Sequence, residues 1–449
     1  MNSKNQINLT EGPILGKLLQ FSIPLILSSV LQLLFNAADI IVVGRFAGDN
    51  SLAAVGSTGS LINLLVNLFM GLSVGANVVA AHYFGAGKKE QVQTTVHTSV
   101  LLSFYSGIIL TVIGVFGAEQ ILKLMQAPED VLNLAALYLK IYFGGITSTI
   151  VYNFGSAILR AKGDTKRPLY ILFAAGIINV FLNLIFVINF KMDVAGVAIA
   201  TVISQTFAAI VVIIILCRET DEFRLDLKKL SLNKHVFKRI VKIGVPAGFQ
   251  GIMFSFSNVI IQSSVNSFGA TLIAGNSAVT NLEGFIYTSM NEFSQGALTF
   301  CSQNAGAGKK DRIKRLAWIS QFTVLAVGGI LSLIFLLFAR QLIGIYSQSQ
   351  EVIEAGLIRC VVIFTTYYLC GMMDTMANTI RGIGHSVIPV IVSLLGACVF
   401  RIVWLATIFQ IPQFHTPLCI FISYPISWLL AWIANLICFS VLMKKDLIR

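Results

Sequence analysis

Apolar residues run in stretches of more than twenty positions along almost the whole chain, and polar residues are concentrated in the short turns between them. A hydrocarbon core about 30 Å thick takes roughly 20 apolar residues per helical span, so these runs read as transmembrane helices. Twelve are expected, centred in 14–44, 52–84, 92–116, 131–159, 168–187, 194–216, 237–265, 272–304, 316–337, 352–380, 387–408 and 417–443. None shows the roughly ten-residue alternation of a transmembrane barrel, so the fold class is an all-α integral membrane protein. Several runs exceed the minimum, which implies tilt or extension into water.

The polar punctuation is written twice. Gly85-Ala86-Gly87-Lys88-Lys89 returns 221 positions later as Gly306-Ala307-Gly308-Lys309-Lys310, and RAKGDTKRP at 160–168 returns as RGIGHSVIP at 381–389. Ser73, Gly75 and Ala76 meet Ser294, Gly296 and Ala297 at that offset, and Pro24 and Asn36 meet Pro246 and Asn258 at 222. A repeat of this size over apolar segments marks a transporter made of two equivalent halves around a central site. Charge jumps in 218–242, between spans six and seven, so the expected organisation is an N-lobe at 1–217, a cytoplasmic linker at 218–236 and a C-lobe at 237–449. With six spans each, the lobes enter the membrane in the same sense, about an axis along its normal, and leave a cavity between them. Pro24 and Pro246 sit inside the first helix of each half, where a missing N–H donor favours a kink.

Composition agrees: 56% of the 449 residues are hydrophobic and 12% charged, with a mean hydropathy of +0.82. Placing the N-terminus in the cytoplasm puts 25 of the 32 Lys and Arg on the cytoplasmic side, as the positive-inside rule requires. The chain is thus expected in a bacterial inner membrane, multi-pass, with both termini cytoplasmic. The net charge of +12 borders apolar spans, which suits anionic lipid headgroups rather than a nucleic-acid partner. Seven cysteines lie in or beside apolar helices without paired, metal-like spacing. The polar start leads into a span too long for a signal peptide's apolar core, so the first helix is expected to direct insertion.

Other chemistries find little support. The Gly-Lys loops lack the Walker A pattern, because His82 and Gln303 stand at the earlier glycine and Lys89 and Lys310 replace the Ser or Thr. They read as helix-ending turns, and energy for pumping is expected from an ion gradient with no cofactor. A membrane enzyme would show clustered His/Glu ligands, paired aspartates or a Ser/His pair at membrane depth. None is found, and the five histidines sit mostly near helix ends. Repeated halves with a buried carboxylate favour an occluded site over a continuous pore.

An ionisable side chain at a helix centre costs about 2.5–3.5 kcal/mol on insertion scales, so the few present are the candidates: Asp39, Glu283, Glu292, Asp374 and Arg401. Asp39 follows Asn36 by three positions and Gln32 by seven, which puts all three on one helical face. A lone carboxylate on such a stripe binds a proton or, with neutral oxygen donors, a small cation such as sodium; the alternative is a structural polar network between helices. Asn153, Asn179, Asn183 and Thr201 are candidate donors, Asn179 and Asn183 being one turn apart. Glu283 and Glu292 are nine residues apart, about 900° of rotation, and point to opposite faces. Asp374 and Arg401 are placed to pair across neighbouring spans. Of the aromatics, Tyr152, Phe154, Phe285, Tyr287, Tyr367 and Tyr368 are candidates to line a cavity for hydrophobic or cationic compounds, with Gln32, Glu283 and Asp374 as polar companions.

Asn36-x-x-Asp39 followed by Gly44, the 160–168 loop, the stretch from Gln303 to Gly308, and Arg381-Gly382-Ile383-Gly384 together resemble the multidrug and toxic compound extrusion (MATE) family over almost the whole chain. That resemblance implies a V-shaped pair of six-helix lobes, acting as a monomer, that exports organic cations or amphipathic drugs in exchange for protons or sodium. It implies Asp39 as the ion-coupling carboxylate, with Asn153, Asn179 and Thr201 in the N-lobe network. Many relatives carry a second aspartate where this chain has Asn183, so one titratable group is absent and coupling ion and stoichiometry stay open. An exporter or flippase of an endogenous metabolite or lipid-linked compound is the alternative, against which few basic residues in the expected cavity argue mildly.

Overall fold

The computed structural model describes residues 6–124 and 129–444; the extreme termini expected in the cytoplasm lie outside them. The described chain is helical, with no strand. The first half is built from α1 (Ile14–Phe46), α2 (Asp49–Gly85), α3 (Lys89–Leu124), α4 (Glu129–Gly144), α5 (Ile146–Lys162), α6 (Lys166–Leu184) and α7 (Asp193–Cys217). The second half contains α8 (Lys234–Asn266), α9 (Ala270–Gly306), α10 (Lys310–Leu337), α11 (Ala339–Gly344), α12 (Gln350–Phe364), α13 (Tyr368–Gly382), α14 (Val387–Ser393), α15 (Phe400–Ala406) and α16 (Pro417–Lys444).

Among the described residues, nine helices are long and apolar enough to cross a membrane. Two further spans are bent pairs, α4 with α5 at 46° and α12 with α13 at 44°. The twelfth expected span is α9, whose 37 residues are ample in length but whose Glu283, Glu292 and many small polar residues make it the least apolar of the set. The two bends fall at matched places in the repeat. So do the two Gly-Lys turns: α2 and α9 end as Gly87 (φ 68°) and Gly308 (φ 70°) enter the left-handed region, where glycine carries no Cβ penalty. Lys88 N–H then bonds Tyr83 O and Lys309 N–H bonds Asn304 O, at 3.0 and 2.9 Å. A π-turn at Ile185–Asn189 extends α6, and another at Leu394–Val399 joins α14 to α15.

The chain forms two compact units, one comprising 6–8 and 23–248 and the other 9–22 and 249–444. Their limits lie inside α1 and α8, beside Pro24 and Pro246, and not in the charged stretch 218–236. That stretch is packed into the first unit. Lys162, 1% exposed, bonds Glu219 at 2.5 Å and also meets Asp221, while Arg167 pairs with Asp164 and Glu219. Phe223 is fully buried against Phe84 and the Lys162 ammonium. Downstream, His97 Nε2 accepts the Asp226 N–H at 3.0 Å and Thr98 Oγ1 accepts the Asn233 N–H at 3.2 Å. The first half of α8 then crosses α2 at four glycines, Gly71 and Gly75 against Gly244 and Gly248, so closely that a Cβ on any of them would strike the facing backbone. In the second unit Arg312 donates to the carbonyls of Glu11 and Gly12 at 2.8 and 2.9 Å, which holds the approach to α1.

Candidate ion-coupling site

Three helices of the first unit bring separated polar residues together. The face of α1 carries Gln32, Asn36 and Asp39, α6 presents Asn179 and Asn183 one turn apart, and α7 adds Thr201, Ser204 and Gln205. Apart from Asn183, these line a cavity of about 50 Å³, completed by Phe35, Leu172, Ala175 and Gly176. A water needs roughly 10–15 Å³ measured this way, so the space suits a few waters or a small cation and is far too small for a drug.

The hydrogen bonds diverge from the Asn183 amide. Asn183 Nδ2 donates to Asp39 Oδ1 and faces Asn179 Oδ1 at 3.5 Å; Asn179 Nδ2 in turn faces Thr201 Oγ1 at 3.4 Å, and Thr201 donates to Val197 O at 3.0 Å. Asn183 is 1% exposed, and its Oδ1 has no hydrogen-bond partner among the described residues. Asp39 forms no ion pair with a described Lys, Arg or His. The carboxylate is therefore held by neutral groups alone, beside several amide and hydroxyl oxygens able to face a cation. The π-turn starts two residues after Asn183.

Asn153 stands apart from this arrangement. Its Nδ2 bonds Thr149 O of its own helix at 2.8 Å, and it does not line the cavity. Tyr152 is buried, with its hydroxyl on Pro168 O at 3.1 Å, pinning α5 to the first turn of α6.

The second unit balances its membrane-depth charges differently. Glu283 accepts a bidentate pair from Arg359, at 2.6 Å from Nε and 2.7 Å from Nη2, while Arg359 Nη1 reaches Asn276 Oδ1 at 2.8 Å. Both partners are buried, and the guanidinium also lies over Tyr424. Asp374 and Arg401 do not pair. Asp374 accepts the Tyr287 hydroxyl at 3.0 Å, whereas Arg401 bonds Ser427 at 2.8 Å and stacks over Tyr424 and Trp428. The reason is helix orientation: Arg401 faces α16, and Asp374 faces α9. Glu283 and Glu292 are both largely buried.

A family model described as MatE matches the chain twice, at 24–185 and 246–407. The chain belongs to the MATE family. The two matches are of equal length and lie 222 positions apart, the offset at which Pro24 meets Pro246. This MATE protein is a membrane transporter rather than an enzyme. It is 27% identical over 383 residues to the probable multidrug resistance protein YoeA of Bacillus subtilis, covering 84% of this chain and 83% of that one. It is 25% identical over 358 residues to the FAD transporter of Shewanella oneidensis, covering 78% of each. Among solved structures, a MOP superfamily transporter from Pyrococcus furiosus superposes with a TM-score of 0.92 at 20% identity, over 99% of this chain and 100% of that one. At that identity the likeness is one of fold.

Within the MATE transporter, tertiary packing brings together Gln32, Asn36, Asp39, Asn179, Asn183 and Thr201, each a candidate from sequence, and leaves Asn153 apart. Ser204 and Gln205 were missed because a Ser-Gln pair in an apolar run carries no motif. Arg359 was also missed, although a single arginine in the apolar run 352–380 was the signal that could have disclosed a partner for Glu283. Two of the four basic residues of the 160–168 loop are ion-paired, Lys162 buried between Glu219 and Asp221 and Arg167 with Asp164 and Glu219.

Proposed function

We propose that this MATE transporter exports organic cations or amphipathic drugs by antiport against protons or sodium, with Asp39 carrying the coupling ion. The observation behind this reading is the isolation of Asp39: a carboxylate on a membrane helix whose partner is a neutral amide, beside a cavity lined with oxygen atoms. A charge placed there is costly until something neutralises it, and either a proton or a sodium ion does so. Asn36, Asn179 and Thr201 are the further oxygen donors for a sodium ion. Neutralisation changes what Asp39 accepts from Asn183, which gives ion-loaded and ion-free forms different helix contacts. Substrate and ion then bias one conformational equilibrium in opposite senses.

Relatives named multidrug resistance proteins support the drug class. Gln32 and the hydrogen-bonded pair Tyr287 and Asp374 remain candidates to contact substrate, whereas Glu283 and Tyr152 are buried against their partners. The transporter is taken to act as a monomer in a bacterial inner membrane, with its termini in the cytoplasm. The FAD transporter relative favours a second reading, export of an endogenous metabolite.

Ethidium efflux from drug-sensitive cells, with sodium and proton gradients imposed separately, tests the proposal. Wild-type efflux that follows one gradient and is lost in Asp39→Asn supports it and names the ion. Full efflux by Asp39→Asn removes Asp39 from the mechanism, and no efflux by well-expressed wild type turns the reading to the metabolite.

A further inference from the structure

Beside the Asp39 site, α1 and α6 are keyed together by one aromatic ring. Phe35 and Gly176 both line the cavity, and a Cβ built on Gly176 would fall inside the Phe35 ring, against Cε2, Cζ and Cδ2. The ring thus occupies the space where every other residue type carries its first side-chain carbon. Phe35 lies one helical turn before Asp39 on α1, and Gly176 lies two turns before Asn183 on α6. Residues four and seven apart share a face, so the two contacts stack along the same helix interface.

We propose that the Phe35–Gly176 socket is the positioning element that sets the register at which Asp39 meets Asn183. This rests on the reading of Asp39 as the ion-coupling group. The physical argument is one of stiffness. A hydrogen bond between two short side chains tolerates only a few tenths of an ångström of helix slip, and a ring seated directly against the glycine backbone of the facing helix leaves no room for a closer approach or an added side chain there. Filling the hole expels the ring and moves α1 away from α6. Shortening Phe35 at the same time removes the clash and lets the helices return.

The test compares wild type, Asp39→Asn, Gly176→Val and Phe35→Ala/Gly176→Val in proteoliposomes, with ethidium as the probe. Each is assayed for transport driven by an imposed ion gradient and for downhill exchange without one. Gly176→Val is expected to lose gradient-driven transport by about tenfold or more, as the loss of a hydrogen bond to a charged group implies, while keeping downhill exchange. The double variant is expected to recover about half of the wild-type rate, since residues in contact are energetically coupled. Unchanged gradient-driven transport in Gly176→Val overturns the proposal, and so does a double variant no better than the single one. Loss of both transport modes in all Gly176 variants also overturns it, because the socket would then serve folding alone. Wild-type behaviour of Asp39→Asn, or a wild type that moves no ethidium, instead overturns the underlying reading, and this inference falls with it.

Discussion

Asn183 on α6 donates its side-chain amide to the carboxylate of Asp39 on α1, across 144 positions of sequence. The acceptor end of the same amide is buried and unbonded among the described residues. The site is thus built around one negative charge and one committed donor.

Asn183→Leu keeps the branching and heavy-atom count of the side chain and removes the donor. A hydrogen bond to a charged group contributes about 1.5–3 kcal/mol, so gradient-driven efflux is expected to fall roughly ten- to a hundredfold with little change in expression. Initial efflux rates normalised to protein in the membrane check this. Wild-type rates would show that Asp39 does not depend on Asn183.

Arg359→Leu strands Glu283. Breaking a buried pair from one side costs about 3–5 kcal/mol because the remaining charge is uncompensated, and both partners here are buried. Arg359→Leu is expected to lower the melting temperature in detergent sharply, and Glu283→Gln/Arg359→Leu to recover most of that loss. Failure of the double variant to recover would mean that packing of Arg359 over Tyr424, rather than charge balance, dominates.

Lys162→Met removes the cation that Glu219 and Asp221 share. The connecting stretch should come away from the first unit and free the backbone beside the already exposed Arg224, Lys228 and Lys229 to enter the active site of trypsin. Cleavage between 224 and 229 is expected to be at least about tenfold faster than in wild type, since local opening governs proteolysis. Equal cleavage would show that Phe223, Arg167 and the bonds to His97 and Thr98 hold the stretch without Lys162.

Gly244→Leu places a branched side chain where α8 meets the backbone of Gly71 and Leu72. Overpacking costs about 1–3 kcal/mol where neighbours can move, and backbone cannot. A marked drop in melting temperature is expected, whereas Gly284→Leu, in open space on α9, should leave it near wild type.

Much was legible before any coordinates. Span lengths, the internal repeat and the all-helical class follow from residue type and spacing, because a bilayer demands long apolar helices with their backbone groups satisfied internally. Asp39 also stood out from sequence, since a carboxylate inside an apolar run needs a reason. What the sequence could not supply was which helices are neighbours. Asn183 is the donor to Asp39 because the fold brings α6 within reach of α1 at that point, while the Asn153 amide bonds the Thr149 carbonyl one turn back on its own helix. Asp374 and Arg401 looked like partners in order along the chain, yet they face α9 and α16. The charged stretch after α7 reads from sequence as a cytoplasmic linker, and only the structure shows Lys162 and Arg167 binding it into the first unit. Periodicity along a helix tells which residues share a face, and it is short-ranged. Which faces meet is decided by packing between segments a hundred or more residues apart, and that is where the Asp39–Asn183 contact and the Phe35 socket come from.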